Sequence, residues 1–373
     1  MTDKKIHIVS FDVPFPANYG GAIDVYFRVK ALKEIGYEIT LHCFEYGRGR
    51  PSELSDLAST VVYYKRRKNP FAWLSRNPFI VQTRSPKKLL ANLLKDDAPI
   101  LFEGLHTTYF LGHPSLKERT KIVRTHNVEH DYYFMLSEQA SGWKKRYYSS
   151  ESKKLKRYES NLQFADLLLP IKQADFDHFS QYSTKIHLLP PCFDQKELVR
   201  TSTEPYLLFH GNLSVNENIE AVKWICKEIF DTLEAPLIIA GKDPDSSIIE
   251  LSEKGFFELR ANLNESEMSE LISHARIHLL YTNQSTGIKL KLIHSLQTAG
   301  HVLVNPTMVE GTILDRYCTV CHQHFDWKHE IEKALDHELD EARFAMRTDL
   351  FSTKLNVVEN CRKVTKIIEK LEN

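Results

Sequence analysis

The feature that most constrains how this chain can fold is a pattern it uses twice. An apolar strand, Lys5 to Phe11, runs into a loop rich in Pro and Gly, Pro14 to Gly21. A helix from Ile23 to Ile35 follows, stops at Gly36 and hands over to a second strand, Glu38 to Phe44. The same order returns after Pro205. Tyr206 to His210 reads as a strand, Gly211 to Asn216 as a loop, Ile219 to Leu233 as a helix, and Pro236 to Ala240 as a strand closed by Gly241. Each set is a βαβ unit. The later chain keeps alternating, with strands at Glu258–Arg260, Ile277–Leu280 and Val302–Val304 and a helix at Glu265–Ala275.

Two such halves imply an α/β fold of two Rossmann-like, parallel-sheet domains. Ligands of such sheets sit at the carboxyl ends of the strands. Both glycine loops lie at such ends, so domains that face each other would bring them to one cleft. The linker falls between Pro190 and Pro205, rich in Pro, Ser and Thr. The expected domains are therefore 1–200 and 201–354, with 355–373 a terminal helix that can pack back on the first domain. A length of 373 residues fits two domains better than one core.

The stretch Ser285 to Pro306 carries the sharpest chemical signal. It reads as a loop, a helix capped by Ser285 or Thr286, a stop at Gly300 and the Val302 strand. Gly287, Lys291, His294 and Thr298 recur as one polar stripe, while Ile288, Leu292, Leu296 and Ala299 form the apolar one. Lys289 and Lys291 stand at the helix start, where acids are normally favoured. Two cations beside free backbone N–H groups suit a bound anion, above all a phosphate.

Composition excludes more than it selects. A formal net charge of zero argues against a broad nucleic-acid-binding field. No apolar run is long enough to cross a bilayer, and the charged N-terminus passes straight into a strand without a signal-peptide core. A cytoplasmic protein is expected. Six cysteines are too sparse for a disulfide framework. Cys318-Thr-Val-Cys321-His322 matches the short haem-attachment pattern, but without an export signal it reads as a short strand from Tyr317 to Cys321.

Five segments in order resemble the GT-B glycosyltransferases of family 4, which move a sugar from a nucleotide diphosphate sugar with retention of configuration. They are Pro14–Gly21, Arg124–His130, Leu189–Asp194, Phe209–Leu213 and Ser285–Lys291, spread through most of the chain. The resemblance implies two Rossmann-like domains facing across a cleft. It also implies a donor site drawing on Gly20, Gly21, Gly211, Asn212, Thr286, Gly287, Lys289, Lys291 and His294, with His126 catalytic at the donor sugar. It implies no metal or other cofactor, because basic side chains and helix N–H groups carry the phosphate charge. Its partners would be a nucleotide sugar and a glycan or lipid-linked acceptor, in surface polysaccharide synthesis, without nucleic acid.

The chain departs from the family at telling places. Thr286 and His294 stand where many members have glutamates that contact the sugar and the ribose. Asn212 and Glu217 replace an Arg and a Lys in the phosphate loop. Lys289 and Lys291 are the substitute cations, and His294 can still hydrogen-bond a ribose hydroxyl. These losses leave open a catalytically degenerate GT-B protein that binds a nucleotide sugar or a partner. A non-hydrolytic nucleotide-sugar epimerase is also open. Two basic-aromatic tracts, Tyr63 to Trp73 and Trp143 to Arg157, read first as solvated faces and second as a peripheral docking surface for the anionic inner face of a membrane.

Overall fold

A computed structural model describes residues 4–67, 75–230, 235–284 and 287–372. The chain forms two compact units. The first takes the chain up to Asp194 and again from Leu355; the second is Gln195–Lys354.

The first unit is built on a six-stranded parallel sheet of order β3-β2-β1-β4-β5-β6. Its strands are β1 (Lys5–Ser10), β2 (Glu38–Glu45), β3 (Thr60–Lys65), β4 (Ile100–Glu103), β5 (Lys121–Thr125) and β6 (Leu167–Pro170). Register is set by pairs such as Ile8 with Leu41 and with Leu101. The second sheet has β7 (Glu204–Asn212), β8 (Leu237–Lys242), β9 (Glu258–Ala261), β10 (Ala275–Leu280), β11 (His301–Val304) and β12 (Thr319–Val320). Its order is β12-β11-β10-β7-β8-β9. Numbered within its own unit, each sheet reads 3-2-1-4-5-6, the Rossmann order. The order reverses beside the first strand, so the binding crevices fall between β1 and β4 and between β7 and β10.

Burial on both faces explains the apolar runs. All four residues of β4 and all five of β5 are buried, as parallel strands covered by helices must be. Val9, Phe44, Phe102, Val123 and Leu168 fill one core, and Leu207, Phe209, Ile239, Leu279 and Leu303 with Trp327 the other. Val357–Glu372 packs on the helix Gly20–Glu34 of the first unit, and Lys4 reaches its Glu369 at 2.8 Å.

Several elements differ from the sequence reading. The first helix starts at Gly20, so both glycines of the expected loop lie in its first turn. The donor-site helix is only Leu290–Leu296. Lys289 is its N-cap, with no side-chain cap bond, in place of the expected Ser285 or Thr286, which lie outside the described residues. Gly287 precedes the helix and Thr298 follows it, which leaves Lys291 and His294 alone of the expected polar stripe on helical backbone. Gly300 serves a different purpose from a helix stop. A Cβ there would stand 2.3 Å from the Ala275 carbonyl oxygen, so the residue permits close packing at the start of β10. The expected strand from Tyr317 shrinks to Thr319–Val320, because Asp315–Tyr317 closes as a 3-10 turn. Helices His324–Asp336 and Glu341–Thr353 were not foreseen. The second is capped by Asp340, which accepts from the Arg343 N–H at 2.7 Å.

Candidate functional site

In the second unit the crevice between β7 and β10 collects the charged groups. Lys289 Nζ lies 3.0 Å from Glu217 Oε1, both side chains 14% exposed. Glu217 sits in the first turn of the helix Asn216–Glu228, directly after the loop that ends β7. Thr282, just past the end of β10, donates its hydroxyl to the same carboxylate oxygen. Thr282 is itself pinned by Asn305 at the end of β11, through its N–H at 3.2 Å and its carbonyl at 2.8 Å. Lys291 Nζ donates to Asn218 Oδ1 at 2.8 Å and lies 4.8 Å from the centre of the Phe209 ring. Burial pulls the Lys291 ammonium down to about 8 against the pull of Glu217, with Lys289 adding to the depression. For Glu217 burial works upward, but Lys289 and the Thr282 hydroxyl outweigh it and hold the carboxyl below its ordinary value.

The two lysines therefore meet at the carboxyl end of the sheet, and an internal carboxylate already answers one of them. Sequence reasoning named Glu217 only as a departure from a family pattern and missed its pairing. Gly211 and Asn212 are close by; expected in a loop, they are the last two residues of β7 and pair with Gly241 and Lys242 of β8. Asn212 Oδ1 accepts from the N–H and hydroxyl of Ser214 at 3.0 and 2.7 Å, which fixes the turn that leaves the strand. A Cβ on Gly211 would stand 2.9 Å from Asn218 Nδ2. Gly287 adopts φ +67 ahead of Lys289, a backbone conformation that favours glycine. His294 is half-buried on the last turn of its helix.

In the first unit the crevice is lined by a buried charge cluster. His126 follows β5 and is 9% exposed. Its Nε2 contacts Glu103 Oε2 at 2.9 Å, and its Nδ1 lies 3.6 Å from Asp24 Oδ2. Phe11 packs edge-on against its ring at 5.3 Å. Asp24 also takes Arg28, one turn along its helix, and Arg124 Nε at 3.1 Å. Burial alone would raise the Asp24 carboxyl; Arg124, Arg28 and His126 override it and hold that group far below the usual range. Gly20 has open space around its Cα, while a Cβ on Gly21 would meet the Phe11 ring at 2.6 Å. Of the cluster, only His126 was named from sequence. A usable signal was present: Asp24 and Arg28 stand four apart on a face otherwise apolar, and Glu103 and Arg124 interrupt buried strands.

Next to this cluster, Glu129 is pushed up to about 8, by burial first and Glu159 second. Among the described residues two groups bring possible metal-ligand atoms within 4.8 Å of one another, Asp24–Glu103–His126 and His130–Glu159–His178. In the first, guanidiniums already meet the negative charge. In the second, Glu159 accepts from both imidazoles, at 2.6 and 2.9 Å. His126 and His130 do not share a helix, since that helix begins at Glu129. Cys318 and Cys321 are buried thiols raised to about 12 by burial, and His322 is exposed. No described helix is long and apolar enough to cross a membrane.

No family model matches the chain. It is 24% identical over 332 residues to an uncharacterized 44.6 kDa protein in the cps region of Klebsiella pneumoniae, covering 83% of this chain and 84% of that one. Solved structures share its fold along nearly the whole length. The pneumococcal O-GlcNAc transferase GtfA, in complex with UDP and GlcNAc, aligns over 99% of both chains with a TM-score of 0.64 at 10% identity. A trehalose-6-phosphate structure from E. coli, bound with UDP-2-fluoro glucose, aligns over 99% of both chains at 0.62 and 11%. WaaG, a glycosyltransferase involved in lipopolysaccharide biosynthesis, aligns over 97% of this chain and 99% of its own at 0.60 and 12%. The chain has the two-sheet α/β fold of these glycosyltransferases.

Proposed function

We propose that this protein is a glycosyltransferase that moves a sugar from a nucleotide diphosphate sugar to a glycan or lipid-linked acceptor, with retention, in surface polysaccharide synthesis. The observation that carries the reading is the meeting of Lys289 and Lys291 at the β7–β10 crevice beside Gly211 and Asn212 at the end of β7. The Rossmann order of both sheets and the relative in a cps region support it.

Transfer places negative charge on the leaving diphosphate, and positioned cations lower that barrier. Lys291 and Lys289 supply the charge without calling on a metal, Lys289 by exchanging Glu217 for a phosphate oxygen. Gly287 lets the backbone approach, and His294 offers a ring nitrogen to a ribose hydroxyl. Thr286 belongs to the same proposed donor set but lies outside the described residues. In the first unit, the Glu103 and Asp24 carboxylates orient the His126 ring for contact with the donor sugar, and Gly20 and Gly21 open the helix start.

The test is calorimetric titration with a panel of nucleoside diphosphates. Lys289→Ala with Lys291→Ala should weaken the tightest binder at least tenfold. Undiminished binding refutes the assignment. The lysine–glutamate pairing also favours a second reading, a transferase fold that binds a nucleotide sugar without turnover. Binding with no transfer and no donor hydrolysis across common nucleotide sugars would select it, and product formed without any acceptor would select the epimerase.

A lipid-linked acceptor suits a peripheral membrane protein on the cytoplasmic face. The helix Gly142–Tyr158 carries seven Lys or Arg against one Glu, and Trp143 at its start is 73% exposed, with Phe134 of the preceding helix at 55%. Basic and aromatic residues in this arrangement favour an anionic surface. The first tract, Tyr63 to Trp73, lies outside the described residues from position 68 on. Flotation with anionic vesicles that fails at low salt would remove this part.

A further inference from the structure

Two thiols of the first unit lie side by side although 169 positions separate them in the chain. Cys192 Sγ and Cys361 Sγ are 3.9 Å apart, and the two residues are 1% and 2% exposed. Cys192 belongs to the segment by which the chain leaves the unit, and its N–H donates to Asp24 Oδ1 at 2.7 Å. Cys361 lies on the helix Val357–Glu372, by which the chain returns. The pair thus stands where both crossings of the chain are anchored.

Buried cysteines are usually inert small hydrophobes. Two features set this pair apart. The sulfurs face each other, so a resolving thiol is in place. Charged groups also surround them: the contact with Cys192, helped by Arg28 and Arg124, draws the Cys361 thiol below its ordinary value against burial and Asp24, while the same contact with burial pushes Cys192 up. A cavity of about 10 Å³ adjoins Cys361, lined in part by Arg28, Leu32, Leu101, Leu169 and Val364. That is at the lower limit of the space one water needs, so an oxidant reaches the sulfurs only as the packing around them opens.

We propose that Cys192 and Cys361 are a reversible oxidation site, converted by hydrogen peroxide into a disulfide that staples the C-terminal helix to the segment leaving the first unit. The Cys361 thiolate attacks one peroxide oxygen, the O–O bond breaks, and hydroxide leaves, giving a sulfenic acid. Cys192 sulfur then attacks Cys361 sulfur; the S–O bond breaks and the oxygen leaves as water with the Cys192 proton. Two thiols and one peroxide yield one disulfide and two waters, so electrons and atoms balance. The sulfurs must close by about 2 Å to reach bond length.

The test uses the full-length reduced protein treated with hydrogen peroxide. The six thiols titrated in denaturant should fall to four. Non-reducing peptide mapping should join the Cys192 and Cys361 fragments, with dithiothreitol separating them. The urea midpoint should rise on oxidation and return on reduction, as expected for a cross-link closing a long loop. Cys361→Ser should form no joined fragment and show no midpoint change. Six thiols retained by the treated protein, a bridge to any other cysteine, or sulfinic acid at Cys361 without the bridge overturns the proposal. Should the serine variant not fold, the peptide map of the native chain still decides between these outcomes.

Discussion

Asp24→Asn removes the charge on which the buried cluster of the first unit depends. The carboxylate takes Arg28, takes Arg124 through Nε at 3.1 Å and Nη2 at 3.2 Å, faces His126, and accepts the Cys192 N–H at 2.7 Å. Arg124 has no exposure, Arg28 has 2%, and among the described residues Glu103, 3.4 Å from Arg28, remains to balance two guanidiniums. Breaking a buried pair by deleting one partner costs roughly 3–5 kcal/mol, because the surviving charge is left uncompensated. Asparagine keeps one acceptor oxygen, so about 3 kcal/mol is expected, with Asp24→Ala nearer the upper figure. At a urea slope of roughly 1–3 kcal/mol per molar, the unfolding midpoint of the first unit should drop by about 1 M or more. Far-UV circular dichroism alongside fluorescence separates the two units' transitions. As a control, Lys4→Ala breaks the half-exposed bridge to Glu369 and should cost no more than about 1 kcal/mol. The pH dependence has a fixed sign. The folded Asp24 pKa lies below the unfolded 3.8, so its contribution is present above pH 3.8 and fades as pH falls beneath it. The gap between native and variant should narrow in acid. A midpoint shift below about 0.3 M at neutral pH would refute the claim that this carboxylate holds the cluster together.

Three further outcomes are expected. Glu217→Gln frees Lys289 from its internal partner, so nucleoside diphosphate affinity by calorimetry should rise severalfold; a fall would show that Glu217 aids the ligand instead of competing with it. Gly241→Ala would place a Cβ 1.8 Å from the Gly211 carbonyl oxygen and should cost about 1–3 kcal/mol or more in urea unfolding, whereas Gly20→Ala, with no atom within 4 Å, should be neutral or slightly stabilising. In the second unit, burial holds His278 near a pKa of about 3 against 6.5 unfolded, so stability is full above pH 6.5 and is lost as pH falls below it; by pH 5 this one group removes about 2 kcal/mol, read from tryptophan fluorescence in urea, and equal midpoints at pH 7.5 and 5 would contradict it.

Local periodicity made the architecture legible. Continuous apolar runs such as Ile100–Phe102 and Leu207–Phe209, each followed by a loop and a helix, state a parallel sheet because only strands covered on both faces tolerate them. The same logic placed His126 and Lys289 after strands, at the ends where such sheets bind, while Gly211, read as the start of a loop, is the second-last residue of β7. Helix limits were less legible. Gly287 was read as helical from stripe spacing and Lys289 was placed at the helix start, but the backbone turns helical only at Leu290, and periodicity does not see where the first turn closes.

Which charges meet was decided by the tertiary structure alone. Asp24 and Arg124 are 100 positions apart, Thr282 and Glu217 are 65, and Cys192 and Cys361 are 169. A period along the chain reports which face of an element is buried, since that depends on neighbours three or four residues away. It carries no information about which strand lies beside which. The order 3-2-1-4-5-6 in each sheet brings the ends of β1 and β4, and of β7 and β10, together. Burial there makes an unpaired charge too costly to leave alone, so the acids and bases that the sequence scatters become one cluster in each unit.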